Sequence, residues 1–246
     1  MPDIFADIIE CLKFEARSAG GSACVSPEVL QELYADIIPG KGGTQTASQP
    51  SCPSDISPDL ASLAAAVSSC KKCILCKERK NTVLGEGNPC AELMFIGEGP
   101  GRDEDLQGRP FVGAAGQLLT KMINAMQFAR EEVYITNVVK CRPPGNRTPE
   151  ESEAKACLPC LIRQVELIKP KVLVLLGAVP LLHLLGKKGI TRLHGEWSEF
   201  MGIKTLPTFH PAYLLRSPSE KKHAWADLQK VMKEFGKTSP AKDRNT

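Results

Sequence analysis

The sequence predicts an α/β fold in which a central, four-stranded parallel sheet lies between two layers of helices (α/β/α). Four short apolar runs are typical of strands buried on both faces, namely Leu93–Gly97, Val133–Val139, Lys171–Gly177 and Thr205–Phe209. Amphipathic segments with helical spacing accompany them, at 115–128, 149–168, 178–186 and 220–235. This alternation indicates βαβ crossovers, and therefore a parallel sheet covered on both faces.

The chain divides into four predicted segments. Residues 1–38 carry isoleucines and leucines at helical spacing, which predicts a helical N-terminal extension. Residues 39–58 are rich in Gly, Ser, Pro and Thr and indicate a flexible linker. The α/β domain is expected over 59–236, followed by a tail over 237–246.

Composition narrows the class of protein. With 42% hydrophobic and 24% charged residues the chain can bury an ordinary globular core. No apolar run reaches the roughly 18 residues that a bilayer span needs, so no membrane partner is expected. The N-terminal sequence MPDIFADIIE is acidic and unlike a secretory signal. We expect a cytoplasmic monomer.

Charge is distributed unevenly along the chain. The first 58 residues contain three basic and eight acidic residues, a net charge of −5. The other 188 residues contain 28 basic and 20 acidic residues, a net charge of +8. A basic body suits a polyanionic partner such as nucleic acid, although many mildly basic proteins bind none.

Polar residues follow the predicted strands where each one ends. They are Glu98 and Gly99 after the first strand, Asn137 in the second, the Gly177–Ala178 turn after the third, and His210 after the fourth. Ligands of parallel α/β sheets bind at the carboxyl ends of the strands. The sequence therefore predicts a binding site at this edge.

The glycine-rich segment 97–119 suggests a backbone that closely approaches a ligand. It lacks the Gly-Lys-Ser/Thr of a P-loop, and Pro100 interrupts any dinucleotide fingerprint, so no nucleotide cofactor is expected. Phe111 lies either in the core or beside the strand end as a platform for a flat ring. Asn137 is either a buried amide satisfied by backbone or a reader of a base edge.

The cysteines form a pattern typical of a metal site. Cys70, Cys73 and Cys76 are spaced by two residues, Cys141 stands alone, and Cys157 and Cys160 form a second pair. By spacing alone, zinc and an iron–sulfur cluster are both open.

Six segments in order resemble the family 4 uracil-DNA glycosylases, the iron–sulfur type common in bacteria and archaea. The resemblance covers roughly Leu60 to Phe235. Its motifs are the CxxC near the start, GEGPGRDEDLQGRPFVGAAGQLL, TNVVKCRPPGNRTP, LLGAVPLLHLLG, ITRLHGEW and FHPAYLLR. The resemblance implies hydrolysis of the N-glycosidic bond of deoxyuridine in DNA, the first step of base excision repair. It also implies a structural 4Fe-4S cluster on four thiolates, which fall on Cys70, Cys73, Cys141 and Cys157.

The same resemblance implies roles at the strand ends. Phe111 would stack on the flipped uracil, Asn137 would bind its N3–H and O4, and Gly99 would offer backbone contacts. Glu98 would crowd the C5 position and so disfavour thymine, and His210 would face the uracil O2.

Two further roles are less directly implied. Many uracil glycosylases use an aspartate of the first motif to orient the attacking water, but Gly99 occupies the corresponding position here. Glu104 is the candidate for this role, and Asp103 and Asp105 are less favoured alternatives. Leu214 or Leu215 would fill the gap left by the flipped nucleotide, with Arg216 on a phosphate. The alternative for the leucines is packing under the final helix.

Two rival functions remain at this point. One is a uracil-DNA binding protein that traps the abasic product covalently, as a related group does. That group has an extra basic, histidine-containing loop after the second strand, whereas CRPPGNRTPEESEA contains no histidine. The other is a nucleotide- or metal-binding module, which predicts a colourless zinc protein or one that binds a free dinucleotide.

Overall fold

The computed structural model describes residues 58–238. The predicted N-terminal extension, the linker apart from Pro58, and most of the predicted tail lie outside these residues.

The described residues contain a six-stranded sheet of order β1-β3-β2-β4-β6-β5. The strands are β1 Glu86–Gly87, β2 Leu93–Gly97, β3 Tyr134–Asn137, β4 Val172–Leu176, β5 Ser198–Phe200 and β6 Ile203–Thr208. The four central strands are parallel and correspond to the four that the sequence predicts. The edge strands β1 and β5, which pair antiparallel, were not predicted from the sequence.

Eight α-helices are present between residues 58 and 238. They are α1 Pro58–Ser68, α2 Arg102–Gln107, α3 Ala114–Ala125, α4 Glu151–Ile168, α5 Ala178–Leu185, α6 Ile190–Leu193, α7 Pro211–Arg216 and α8 Lys221–Glu234. Short 3₁₀ turns lie at Ile74–Lys77, Arg130–Glu132, Pro144–Asn146 and Pro218–Glu220. In this part of the chain, no helix has both the length and the apolar character that crossing a bilayer requires.

Helices cover both faces of the sheet. On one face, alternate strand residues such as Met94 and Leu173 pack with Leu161 of α4. On the other, Phe95 and Val174 pack against α3 and α8. Successive strand side chains point to opposite faces, so each buried apolar strand contributes to both cores. The α/β/α prediction is confirmed.

Strand register brings the predicted site residues to one edge. Gly97 at the end of β2 is the register partner of Asn137 at the end of β3. Leu176 of β4 pairs in the same way with Thr208 of β6, two residues before His210. The Gly177 N–H donates to the Thr208 carbonyl at 2.8 Å, which extends the pairing to the turn beyond β4.

Candidate active site and cysteine cavity

The centre of the strand-end site lies at Gly97, where a side chain could not fit. A Cβ atom there would lie 2.4 Å from the Asn137 Oδ1 and 2.5 Å from Cζ of Phe111. Both distances are too short for carbon contacts, so only glycine allows the amide and the ring to approach each other. The structure thus brings Phe111 and Asn137 together at the end of β2.

Phe111 adopts an unusual backbone conformation. Its φ of +52° lies in the left-handed region, which costs energy for a residue with a Cβ and is concentrated at functional sites. A Cβ on Gly116 would lie 1.8 Å from the Phe111 carbonyl oxygen, so the first turn of α3 packs directly on this loop. The ring is tilted by 34° against the His210 imidazole, with 5.7 Å between centroids. The Phe111 ring and the His210 imidazole are therefore neighbours.

Two charged side chains hold the loop that carries Phe111. The Glu104 Oε1 accepts the N–H groups of Val112 and Gly113 at 2.9 and 3.0 Å, and its Oε2 accepts the Gly101 N–H at 3.1 Å. On the other side, the Arg130 guanidinium donates to the Pro110 carbonyl at 2.6 Å. The strained conformation is therefore fixed from both ends.

Asn137 presents an unsatisfied acceptor. The residue is 1% exposed, and its Oδ1 has no hydrogen-bond partner in the described part of the chain. A buried polar atom without a partner is costly and rare, because native proteins satisfy nearly all such groups. This oxygen, next to the Phe111 ring, suits a ligand that supplies an N–H donor.

His210 caps helix α7. Its Nδ1 accepts the Ala212 N–H at 3.1 Å, so in this arrangement Nδ1 carries no proton and the neutral ring holds its proton on Nε2. Burial, and then the nearby Arg216 charge, lower the pKa of His210 to about 4, while Glu104 opposes them. A Cβ on Gly177 would lie 3.0 Å from the His210 Cβ, so this turn packs closely on the histidine.

The acidic residues after β2 differ in their surroundings. Asp105 is buried, and its Oδ1 accepts the N–H groups of Lys80 and Asn81. These two backbone contacts explain why this carboxylate is buried, and no ligand is needed to explain it. Asp103 is exposed. Glu104 lies between them, on the side of the helix nearest the Phe111 loop.

Glu98 and Gly99 lie directly beyond β2. Glu98 is partly buried, and burial raises the pKa of its carboxyl while a hydrogen bond with Thr148 lowers it. A Cβ on Gly99 would lie 2.7 Å from the Val139 Cγ2. These contacts join the segment after β2 to the segment after β3.

The three residues of α7 that were predicted to contact DNA have different environments. Leu214 is 1% exposed and packs with Phe209 and Ala224, so its side chain belongs to the core beneath the final helix. Leu215 is 44% exposed. Arg216 is exposed as well. Of the two leucines, only Leu215 presents its side chain to solvent.

All four cysteines that the resemblance selects line one cavity of about 300 Å³. The cavity lies between α1, the turn that follows it, the segment after β3, and α4. Its sulfur-bearing residues are Cys70, Cys73, Cys76, Cys141, Cys157 and Cys160. Cys76 and Cys160 therefore share the cavity with the predicted ligands.

Hydrogen-bond donors approach two of these sulfurs. The Arg79 guanidinium donates to the Cys141 Sγ at 3.0 Å, and the Lys140 main-chain N–H donates to the Cys157 Sγ at 3.3 Å. Burial raises the pKa of both thiols to about 11, so metal binding would displace protons from them. Such donors stabilise thiolates and are a common environment of iron–sulfur clusters.

The cysteines of this cavity supply only sulfur donors. Between residues 58 and 238, no three His, Cys, Asp or Glu side chains lie close enough to share one metal ion. A four-iron cluster is a larger body, and each thiolate binds a different iron at its own corner. Four thiols around one cavity are the donor set that such a cluster binds.

Three basic residues that support the site were not predicted from the sequence. Arg79, Arg130 and Lys140 contact a cysteine sulfur, the Phe111 loop and the Asn137 main chain respectively. Each is one basic residue among many, and its partner is distant in sequence or a backbone atom. The only sequence signal is that Lys140 interrupts an otherwise apolar run.

The chain is similar to known uracil-DNA glycosylases. The family model of the uracil DNA glycosylase superfamily matches residues 84–229. The type-4 uracil-DNA glycosylase of Sulfurisphaera tokodaii is 49% identical over 175 residues, which covers 67% of this chain and 80% of the relative. That of Thermotoga maritima is 50% identical over 158 residues, covering 63% and 82%.

A more distant group is also similar. The type-5 uracil-DNA glycosylase of Pyrobaculum aerophilum is 30% identical over 146 residues, covering 52% of this chain and 64% of the relative. The type-4 matches are longer and much more alike. On the fold, the strand-end site and these similarities, the chain belongs to the type-4 uracil-DNA glycosylases of the uracil DNA glycosylase superfamily.

Proposed function

We propose that this chain is a hydrolase that removes uracil from DNA by cleaving the N-glycosidic bond of a flipped deoxyuridine. The observation that carries the proposal is the unsatisfied Asn137 Oδ1, buried beside Phe111 at the end of the sheet. A flat ring with an N–H at its edge would stack on Phe111 and satisfy this oxygen at the same time.

Asn137 would select uracil over cytosine. Its Oδ1 would accept the uracil N3–H, and its amide nitrogen would donate to O4. Cytosine presents an acceptor at N3 and a donor at C4, so both contacts would be mismatched. A site built for one hydrogen-bonding pattern rejects its inverse strongly, because buried groups would be left unpaired.

His210 would stabilise the leaving uracil. Because Nδ1 accepts the Ala212 N–H, the free Nε2–H would donate to the uracil O2, where negative charge develops as the bond breaks. The lowered pKa keeps the ring neutral at physiological pH. The sugar would become oxocarbenium-like and be attacked by water.

Glu104 would orient that water. A carboxylate has about four lone-pair sites, and three here accept the N–H groups of Gly101, Val112 and Gly113. The remaining lone pair, on Oε2, would accept a hydrogen bond from the water, and the three backbone contacts would keep the carboxylate from rotating. Glu104 would thus combine the support of the Phe111 loop with the positioning of the nucleophile.

The remaining side chains of this edge would control access. Glu98 would lie against the uracil C5 and disfavour the methyl group of thymine, and Gly99 would contribute backbone contacts. Exposed Leu215 would fill the space of the flipped nucleotide, a role for which buried Leu214 is poorly placed. Arg216 would bind a phosphate.

Cys70, Cys73, Cys141 and Cys157 would hold a 4Fe-4S cluster. When bound, it would act as a structural brace that joins the segment before β1 to the segment after β3. The chain's own groups would prepare the site for it, through the Arg79 donor to Cys141 and the Lys140 N–H to Cys157. Hydrolysis needs no redox step.

A strand-cleavage assay tests the proposed activity. The protein is incubated with matched oligonucleotides containing one uracil, thymine or cytosine, and alkali then breaks the strand at abasic sites. We expect breaks in the uracil strand alone. His210→Ala should lower the rate by about 10²-fold or more, whereas His183→Ala, at a histidine of α5 that has no role in the proposed chemistry, should not. An intact uracil strand would refute the proposal.

Glu104→Gln tests the proposed water-positioning role. The amide removes the charge and places an NH₂ against a backbone N–H, so we expect slower excision and a lower melting temperature. Asp103→Asn is the matched control, because that neighbouring carboxylate is exposed. If Glu104→Gln turned over like the wild type, Glu104 would have no part in activating water.

A further inference from the structure

Lys140 has no exposed surface, although lysine is among the residues that are least often fully buried. It lies three residues after Asn137, in the segment that leaves β3. The proposed chemistry makes no use of its side chain. Its burial therefore needs another explanation.

The amine of Lys140 holds the end of β3. Its Nζ donates to the Asn137 main-chain carbonyl at 2.7 Å and to the Thr136 Oγ1 at 2.6 Å. The Thr136 hydroxyl donates in turn to the Leu84 carbonyl at 2.6 Å. Both amine contacts are close enough for direct hydrogen bonds. The last two residues of the strand are thus joined through one nitrogen.

The main chain of Lys140 is itself fixed. Its N–H donates to the Cys157 Sγ at 3.3 Å, and its carbonyl accepts the Val83 N–H at 2.8 Å. These two bonds tie the residue to α4 and to the segment before β1. Because the Lys140 main chain is held at both its N–H and its carbonyl, its amine can hold the Asn137 main chain in a constant position.

Asn137 depends on such support. No hydrogen bond from the described residues reaches its Oδ1, so that oxygen is positioned by the backbone and by packing alone. Recognition of a base edge requires donors and acceptors within a few tenths of an ångström of their ideal places. A small rotation of the β3 end would move the amide away from the base.

We propose that Lys140 is a positioning residue for uracil recognition, whose amine fixes the Asn137 main chain and so directs the amide at the base. This inference rests on the proposed role of Asn137 in reading uracil. It gives the buried lysine a part in specificity through another residue, without contact between the lysine and the substrate.

A double-mutant cycle tests the inference. The variants are Lys140→Met, Asn137→Ala and the two combined. The probe is an oligonucleotide carrying 2′-fluoro-2′-deoxyuridine, which resists cleavage, and the reference is the same strand with thymidine. Specific binding is the ratio of the two Kd values, which removes the common phosphate contribution. Lys72→Met is the control, since Lys72 lines the same cysteine cavity but is exposed.

We expect Lys140→Met to lower the specific-binding ratio about 10-fold, in line with a lost hydrogen bond in a buried site. In the Asn137→Ala background it should cause no further loss, because the group that it positions is absent. Lys72→Met should keep the wild-type ratio. An unchanged ratio in Lys140→Met, or an equal loss in both backgrounds, would overturn the inference.

Fold and cluster are monitored by far-UV circular dichroism and by the absorbance at roughly 400 nm. If Lys140→Met does not fold, Thr136→Val is measured instead. It removes the hydroxyl that accepts from the amine and donates to the Leu84 carbonyl, and it leaves the lysine in place. We expect Thr136→Val to lower the specific-binding ratio less than Lys140→Met would, and to cause no further loss in the Asn137→Ala background. An unchanged ratio in Thr136→Val, or an equal loss in both backgrounds, would overturn the inference. If the wild type excises no uracil, the proposed function fails and the inference falls with it.

Discussion

His210 is a neutral imidazole at physiological pH, and its neutrality has a structural cause. The Ala212 N–H points at Nδ1, so a proton on that nitrogen would face another proton. Burial adds to this effect and lowers the pKa to about 4. A neutral donor suits an oxygen that becomes negative only during bond breaking, because it does not bind anions in the ground state.

The lowered pKa predicts an unusual pH profile. Single-turnover uracil excision should stay level as pH falls from about 9 through the ordinary histidine pKa of about 6.5, and decline only near 4. The unfolded chain takes up this proton near 6.5 and the folded chain near 4. This group's contribution to stability is therefore present above 6.5 and lost between the two values. A decline centred near 6.5, with the fold intact by circular dichroism, would contradict a neutral His210.

Gly97 gives a second prediction at this scale. In Gly97→Ala the new methyl would overlap the Asn137 amide and the Phe111 ring, so we expect at least a 10²-fold loss of excision. Gly202→Ala is the matched control, because its Cβ would meet nothing within 4 Å. That variant should lose a little stability through its positive φ and keep its activity. An active Gly97→Ala would show that the ring and amide do not form one pocket.

Helix α4 is the element that joins the cysteine cavity to the sheet. It carries Cys157 and Cys160 one turn apart, and its buried Gln164 donates to the Leu84 carbonyl and the Tyr134 hydroxyl, both at 3.0 Å. The same helix therefore contacts both the cavity and β3. A brace at this position would stabilise the strand that ends in Asn137.

Ligand identity can be tested on the cysteines themselves. Cys157→Ser should lose iron and the absorbance at roughly 400 nm, and its melting temperature should fall. Cys76→Ser is the control from the same cavity and should keep both iron and colour. Iron analysis and the visible spectrum of the purified proteins decide. Iron lost from Cys76→Ser but retained in Cys157→Ser would show that the ligand set is wrong.

At the scale of the whole molecule, the buried parallel strands and their helices could be predicted because burial on both faces leaves continuous apolar runs. The edge strands could not, since β1 has two residues and β5 has three, and neither is fully buried. The positions of the strand ends predicted that residues such as Asn137 and His210 would lie at one edge of the sheet. They could not show that Leu214 faces inward and Leu215 outward, because a six-residue helix has no period long enough to orient it.

The supporting contacts were equally beyond sequence reasoning. Glu104 binds three backbone N–H groups, and Arg130 and Lys140 bind backbone carbonyls. Backbone atoms occur at every position, so nothing in a sequence marks which of them a side chain will reach. Such contacts become visible only when the packed chain is known.

Cleavage at a single uracil by the wild type and by Asn137→Asp tests the account most directly. The carboxylate places a second oxygen against the uracil O4, so we expect excision to fall by about 10²-fold or more. Asn124→Asp, an exposed asparagine on α3, should cleave like the wild type. Strand breaks at uracil from the wild type and Asn124→Asp, with almost none from Asn137→Asp, are the predicted result. An inactive wild type, or an Asn137→Asp protein as active as the control, would contradict the account.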